Sequence, residues 1–166
     1  MLVVLALCSC LRTNQTVRDV DLSRNPLIGA EGAAFMGRYL EDRDCRLECL
    51  LMSQTTLCAG ETDKKGVFGM AQGLKKNQTV HTLALADNGI TNWGARELAV
   101  ALQCNVTLVS LDLDSNFFDD EWLRPAHTLH TEMDPSIRSI ASCVLRNGEL
   151  SMVPQNVRRW EHGGSL

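Results

Sequence analysis

A fifteen-residue pattern recurs along this chain, and no other feature restricts its fold so tightly. The segment from Leu11 to Asn25, LRTNQTVRDVDLSRN, aligns without gaps with Leu74 to Asn88, LKKNQTVHTLALADN, and with Leu102 to Asn116, LQCNVTLVSLDLDSN. Each has a Leu, an Asn three residues on, a Thr five on and an apolar residue six on. Each then runs apolar-x-x-apolar-x-Leu-x-x-Asn. A weaker copy, LECLLMSQT, keeps Leu47, Leu50 and Met52 at the apolar places and has Thr55 where the others have Asn. From Leu22 the equivalent position moves to Met52, Leu85 and Leu113, in steps of 30, 33 and 28 residues. Self-similarity at such a period marks a stack of units, each unable to bury its apolar face alone.

The stretch before each copy has a different period. Ala33, Met36, Gly37 and Leu40 are spaced to fall on one face of an α-helix. So are Val67, Met70, Ala71 and Leu74, and again Ala95, Leu98, Ala99 and Leu102. A glycine, Gly32, Gly66 or Gly94, stands one residue before each set. The unit is therefore a strand followed by a helix, about four times over.

Both ends extend this rule. MLVVLALCSCLRTNQ imitates a secretory leader, but no positive charge precedes its apolar run and about ten residues are too few to span a bilayer. Val4, Leu7, Cys8 and Leu11 fit the helical set, so residues 1–11 read as the helix of a repeat without its strand. Near the other end Ile137, Ile140, Ala141 and Val144 fit it too, with Asp134-Pro135 as cap and first turn of a helix at 135–147. Pro154 opposes a following strand because proline donates nothing to a ladder. The expected organisation is a repeat domain over 1–150, partial at both ends, with an irregular insertion near 117–134 containing Pro125, and a non-repeat tail over 151–166.

The unit VHTLALADNGITNWGARELAVALQCNVTL resembles the ribonuclease-inhibitor-like leucine-rich repeats found in ribonuclease inhibitor, NOD-like receptors and Ran GTPase-activating proteins. The resemblance covers roughly residues 1–150. It implies an α/β fold: a right-handed solenoid forming a short horseshoe segment, parallel strands on the concave face and helices on the convex face. It further implies that Asn25, Asn88 and Asn116 point inward and satisfy backbone groups where the chain leaves each strand, a structural role that a buried amide requires. Thr55 and the insertion around Gly60 to Lys65 depart from the pattern.

Function then belongs to positions that do not repeat. Side chains alternate along a strand, so residues between the inward ones face the concave groove. These are Asp19, Asp21 and Ser23; Cys49, Leu51 and Ser53; Thr82, Ala84 and Ala86; and Ser110, Asp112 and Asp114. The surface is acidic at both ends and small or apolar between, suiting a basic or amphipathic protein partner. The same positions also read as merely solvated strand residues. Phe117, Phe118, Asp119, Asp120 and Glu121 would extend the acidic end. Trp93 and Trp122 are loop candidates, because exposed Trp is enriched at binding hot spots, and either could instead pack on a neighbouring repeat.

Other chemistries find little footing. The net charge is −4 with no block of Lys and Arg, which argues against nucleic acid or an anionic membrane as partner. Seven cysteines at irregular spacings, Cys8, Cys10, Cys45, Cys49, Cys58, Cys104 and Cys143, read as free and mostly buried thiols of a reducing compartment rather than a zinc site. His127 and His130 beside Glu132 and Asp134 lack a third placed ligand. Asn14-Gln-Thr16, Asn77-Gln-Thr79 and Asn105-Val-Thr107 match a glycosylation sequon, yet all fall at one repeat position, which explains them without a sugar. No metal, cofactor or catalytic residue is expected. The leading expectation is a non-catalytic, cytoplasmic protein-binding scaffold. As a truncated solenoid, it would belong to a larger assembly, self-associate or be poorly soluble alone. One alternative is a GTPase regulator of the Ran GTPase-activating type presenting Arg24. Another is a secreted or lipid-anchored repeat protein.

Overall fold

The computed structural model describes residues 2–58 and 63–117. The elements alternate as the periodicity requires: α1 (Leu2–Thr13), β1 (Asp19–Asp21), α2 (Gly29–Leu40), β2 (Cys49–Leu51), α3 (Lys65–Lys76), β3 (Thr82–Ala84), α4 (Asn92–Cys104) and β4 (Ser110–Asp112). A short 3-10 turn, Pro26–Ile28, precedes α2. The four strands form one sheet in the order β1-β2-β3-β4, all pairs parallel. Consecutive helices pack against one another on one side of it. This is the strand–helix solenoid expected from the sequence. The expected helix at 135–147, the insertion at 117–134 beyond Phe117, and the tail lie outside the described residues, as do Trp122, Cys143, His127 and His130.

One continuous core lies between sheet and helices. The register Val20/Leu50/Leu83/Leu111 sets one inward row across the sheet. Leu50, Leu83 and Leu111 are buried, as are Met52, Leu85 and Leu113 at the next inward position. The helical sets meet them: Met36 and Leu40, Met70 and Leu74, Leu98 and Leu102 are all buried. Each such side chain contributes about 1.5–3 kcal/mol relative to exposure. Val4, Cys8 and Leu11 of α1 are buried in the same cluster, and the Cys8 thiol reaches Phe35 O of α2 at 3.9 Å. The signal-like N-terminal run thus packs as a repeat helix. Among the described residues no helix is long and apolar enough to cross a membrane.

Two asparagine positions lace the repeats together. After the strand, the Asn88 amide nitrogen donates to Met52 O of the preceding repeat at 2.7 Å. Its carbonyl accepts Thr55 N and Leu57 N at 2.9 and 3.2 Å. Asn116 does the same one repeat on, donating to Leu85 O and accepting Asn88 N and Ile90 N. Asn25 differs from expectation: it is exposed and donates only to Leu22 O and Ser23 O of its own turn, because no described strand precedes β1. Thr55 is too short to reach back a repeat, and its hydroxyl lies between Met52 O and the Asn88 carbonyl oxygen. Before the strand, the Asn77 and Asn105 carbonyls accept the amides two and three residues on. Their amide groups donate to Leu40 O and Leu74 O at the end of the preceding helix. Both are buried, so two of the three sequon asparagines have their nitrogens engaged inside the fold.

Candidate concave binding face

The sheet face turned away from the helices is built by the strands' other alternation. Its rows follow from the register: Asp19/Cys49/Thr82/Ser110 and Asp21/Leu51/Ala84/Asp112. The ladder continues to Ser23/Ser53/Ala86/Asp114, through Arg24 N to Ser53 O, Gln54 N to Ala86 O and Asp87 N to Asp114 O. Every expected concave residue therefore comes to one surface, in three rows of four. Not all are equally presented. Asp19 and Asp21 are exposed, while Ser23, Leu51, Ser53, Thr82, Ala86, Asp112 and Asp114 are half-buried. Ala84 and Ser110 are buried, contrary to a simple alternation, because small side chains sink between larger neighbours on a closely spaced sheet.

The carboxylates at the two ends hold themselves in the same way. Asp21 accepts Ser23 N at 2.8 Å, and Asp112 accepts Asp114 N at 3.0 Å, both closing the turn that leaves the strand. The Ser23 amide, and then its hydroxyl, hold the Asp21 carboxyl below the ordinary value of 3.8, so it is charged at neutral pH. One oxygen of each is thus occupied by the amide two residues on. The serines form a smaller bridge, Ser53 N donating to the Ser23 hydroxyl at 3.2 Å. Burial, then Asp19 and Asp21, push the Cys49 thiol above its usual 9.0.

At the rim, Arg24, Gln54, Asp87 and Ser115 occupy the same turn position, each with a positive φ between 51° and 62°. That conformation is uncommon for residues with a Cβ. The Gln54 side chain donates to Asp87 across the rim at 3.0 Å, joining adjacent repeats. The repeat pattern gave little warning of this strain, since of the four only Asp87 is of a type that favours the left-handed region. Trp93 lies at the start of α4, half-buried against the core, with the Lys64 ammonium 4.8 Å from its ring centroid. Phe117 is exposed beyond β4, and its N–H donates to Ile90 O. Among the described residues no group of three or more His, Cys, Asp or Glu is placed to hold a metal ion.

A profile described as Leucine Rich repeat matches residues 13–37 and 76–99. The two stretches are one structural unit taken twice, from the end of a helix through β1 into α2 and through β3 into α4. Among solved structures, the chain is similar to leiomodin-1 actin-binding site 2, with a TM-score of 0.60 and 17% identity over 93% of this chain and 91% of that one. It is also similar to the tropomodulin C-terminal domain from Caenorhabditis elegans, with a TM-score of 0.45 and 10% identity over 97% and 99%. Repeats in register, a parallel sheet backed by stacked helices, and the matched profile lead to one conclusion: the chain folds as a leucine-rich-repeat solenoid.

Proposed function

We propose that the chain is a non-catalytic scaffold, acting in the cytoplasm, that binds a protein partner on the concave face and the adjoining rim. The observation that carries this reading is the row Asp21/Leu51/Ala84/Asp112. It sets a partly exposed leucine between two carboxylates whose side chains are committed to no cation in the described structure. Three strand spacings separate those carboxylates, about 14 Å. An α-helix rising 1.5 Å per residue covers that distance in about nine or ten residues. The partner that fits is an amphipathic helix or loop with an apolar centre and basic residues so spaced. The leiomodin neighbour is named for an actin-binding site, which supports protein binding as a use of this fold.

Affinity capture with quantitative mass spectrometry tests the reading, comparing the natural chain with Asp112→Lys/Asp114→Lys and with Leu51→Ser. The expected result is a set of partners depleted at least tenfold in both variants, each variant shown to be folded by circular dichroism. Capture unchanged by either would remove the concave face as the binding surface.

A further inference from the structure

We propose that the open edge of β1 accepts an extended segment of a partner protein in which basic and apolar residues alternate. Within the sheet, the main-chain groups of Cys49 and Leu51 face β1: Cys49 N donates to Arg18 O at 3.1 Å, and Leu51 O accepts Leu22 N at 2.8 Å. Their register partners, Asp19 and Asp21, turn the equivalent groups to the side on which no described strand lies. The inward row at this edge is incomplete in the same sense. Val20 and Leu22 are only half-buried, whereas Leu50 and Met52 at the same places are fully buried.

Helix α1 repeats the point. In α3, Lys65, Gly66, Gly69 and Gly73 form the side that meets the preceding repeat. The same places in α1 are Leu2, Val3, Ala6 and Cys10, all exposed, with Leu2 at 74% and Val3 at 81%. This end therefore carries the donors, acceptors and apolar side chains of an internal repeat boundary.

Charge selects the occupant. Asp19 and Asp21 stand exposed along the edge. A second copy pairing β1 with β1 about a two-fold axis would set Asp19 of one against Asp21 of the other, and like charges directly opposite oppose pairing. Charged side chains on an edge strand guard against such self-pairing. A strand with Lys or Arg opposite Asp19 and Asp21, and Val, Ile or Leu opposite Val20 and Leu22, meets the edge in all three respects. Its main chain completes the ladder, its apolar residues cover the half-exposed core, and its cations face the carboxylates. This site shares Asp19 and Asp21 with the concave rows and differs from the groove in using the backbone edge, so N-methylation of the peptide separates the two.

Fluorescence anisotropy with three labelled seven-residue peptides tests the proposal: Gly-Lys-Val-Lys-Val-Lys-Gly, the same peptide with Glu for Lys, and Gly-Lys-Lys-Val-Val-Lys-Gly, which keeps composition and breaks alternation. The first should bind at least tenfold more tightly than the other two, and its affinity should fall as salt is raised. N-methylation of both its central Lys and the following Val, one of which donates to the edge in either strand direction, should weaken it similarly. Asp19→Lys/Asp21→Lys should lose at least tenfold in affinity. Because Asp21 also holds Ser23 N, Asp19→Lys alone, checked by circular dichroism, serves if the pair unfolds. Equal binding of the three peptides, or binding unchanged in the folded Asp19 variant, overturns the proposal. So does a dimer in sedimentation that no longer binds the alternating peptide, which would assign the edge to a second copy.

Discussion

Asn88 and Asn25 occupy the same place in the repeat and do different work. Asn88 holds two backbone amides and one carbonyl of the neighbouring repeat, all buried, while Asn25 holds only its own exposed turn. Leaving a buried amide without a partner costs about 1–3 kcal/mol. Asn88→Ala should therefore lower unfolding free energy by about 3 kcal/mol or more in urea titrations, and Asn25→Ala by about 1 kcal/mol or less. Comparable losses would mean that the lacing between repeats contributes little. The rim gives a second residue-scale expectation. Arg24 is exposed at φ 62° and already carries the left-handed penalty of about 1–2 kcal/mol, which glycine lacks and a β-branched side chain aggravates. Arg24→Gly should be neutral to stabilising by up to about 1 kcal/mol, the relief being partly offset by glycine's greater unfolded-state entropy, and Arg24→Val should be destabilising, as measured by thermal or chemical unfolding. The repeated Asn positions were plain in the sequence. The exposure of Asn25 was not, because it depends on what lies beside β1 rather than on Asn25 itself.

At the scale of elements, α2 and α3 approach through glycines. A Cβ on Gly37 would lie 2.1 Å from Gly69 O, and one on Gly73 would lie 2.3 Å from Gly37 O. Backbone atoms cannot yield as a flexible side chain can, so the helices must separate. Gly73→Ala should cost about 1–3 kcal/mol or more, despite alanine's higher helix propensity. A neutral or stabilising effect in equilibrium unfolding would contradict the close packing. The helical sets at Met36, Met70 and Leu98 could be read from spacing, since burial on one face dictates a 3.6-residue period. The glycine contacts could not, because spacing identifies the face turned to the sheet and not the distance to the next helix.

The same pair of helices is bridged at the surface, where Lys65 lies 2.7 Å from Glu31. Hydrogen bonding to Lys65, then its charge, hold Glu31 below its ordinary 4.5. The same bond raises Lys65 above 10.5. The pair's contribution is complete between those ordinary values. It is lost as pH falls through the depressed Glu31 value or rises through the elevated Lys65 value. Stability of the natural chain relative to Lys65→Met should accordingly shrink on acidification below about pH 4.5, the ordinary carboxyl value, and shrink further with salt at neutral pH. A stability difference unchanged by acid and salt would rule this pair out as its source.

Across the whole molecule, the repeat that builds the fold and the residues that distinguish its units separate cleanly. The inward rows are nearly uniform from β1 to β4, whereas the concave rows run from carboxylate through Leu51 and Ala84 back to carboxylate. The sequence placed those concave residues correctly because a strand's period of two leaves no choice once Leu22, Met52, Leu85 and Leu113 are inward. It did not reveal that Ala84 and Ser110 would be sunk, which depends on neighbours across the sheet. The cysteines provide native reporters of these surfaces. Cys8, Cys45 and Cys58 are buried, with burial pushing Cys58 up to about 11, while Cys10 and Cys104 are exposed on the helices and Cys49 stands in the concave row. Native alkylation should mark Cys10 and Cys104 first and leave Cys8, Cys45 and Cys58 until unfolding, because the thiolate is the reactive form. Cys49 alkylation with and without a captured partner, resolved by peptide mass spectrometry, tests the binding surface most directly. Concave binding predicts that its rate falls at least tenfold in the complex while that of Cys104 is unchanged; a protected Cys104 beside an unchanged Cys49 would place the partner on the helices instead.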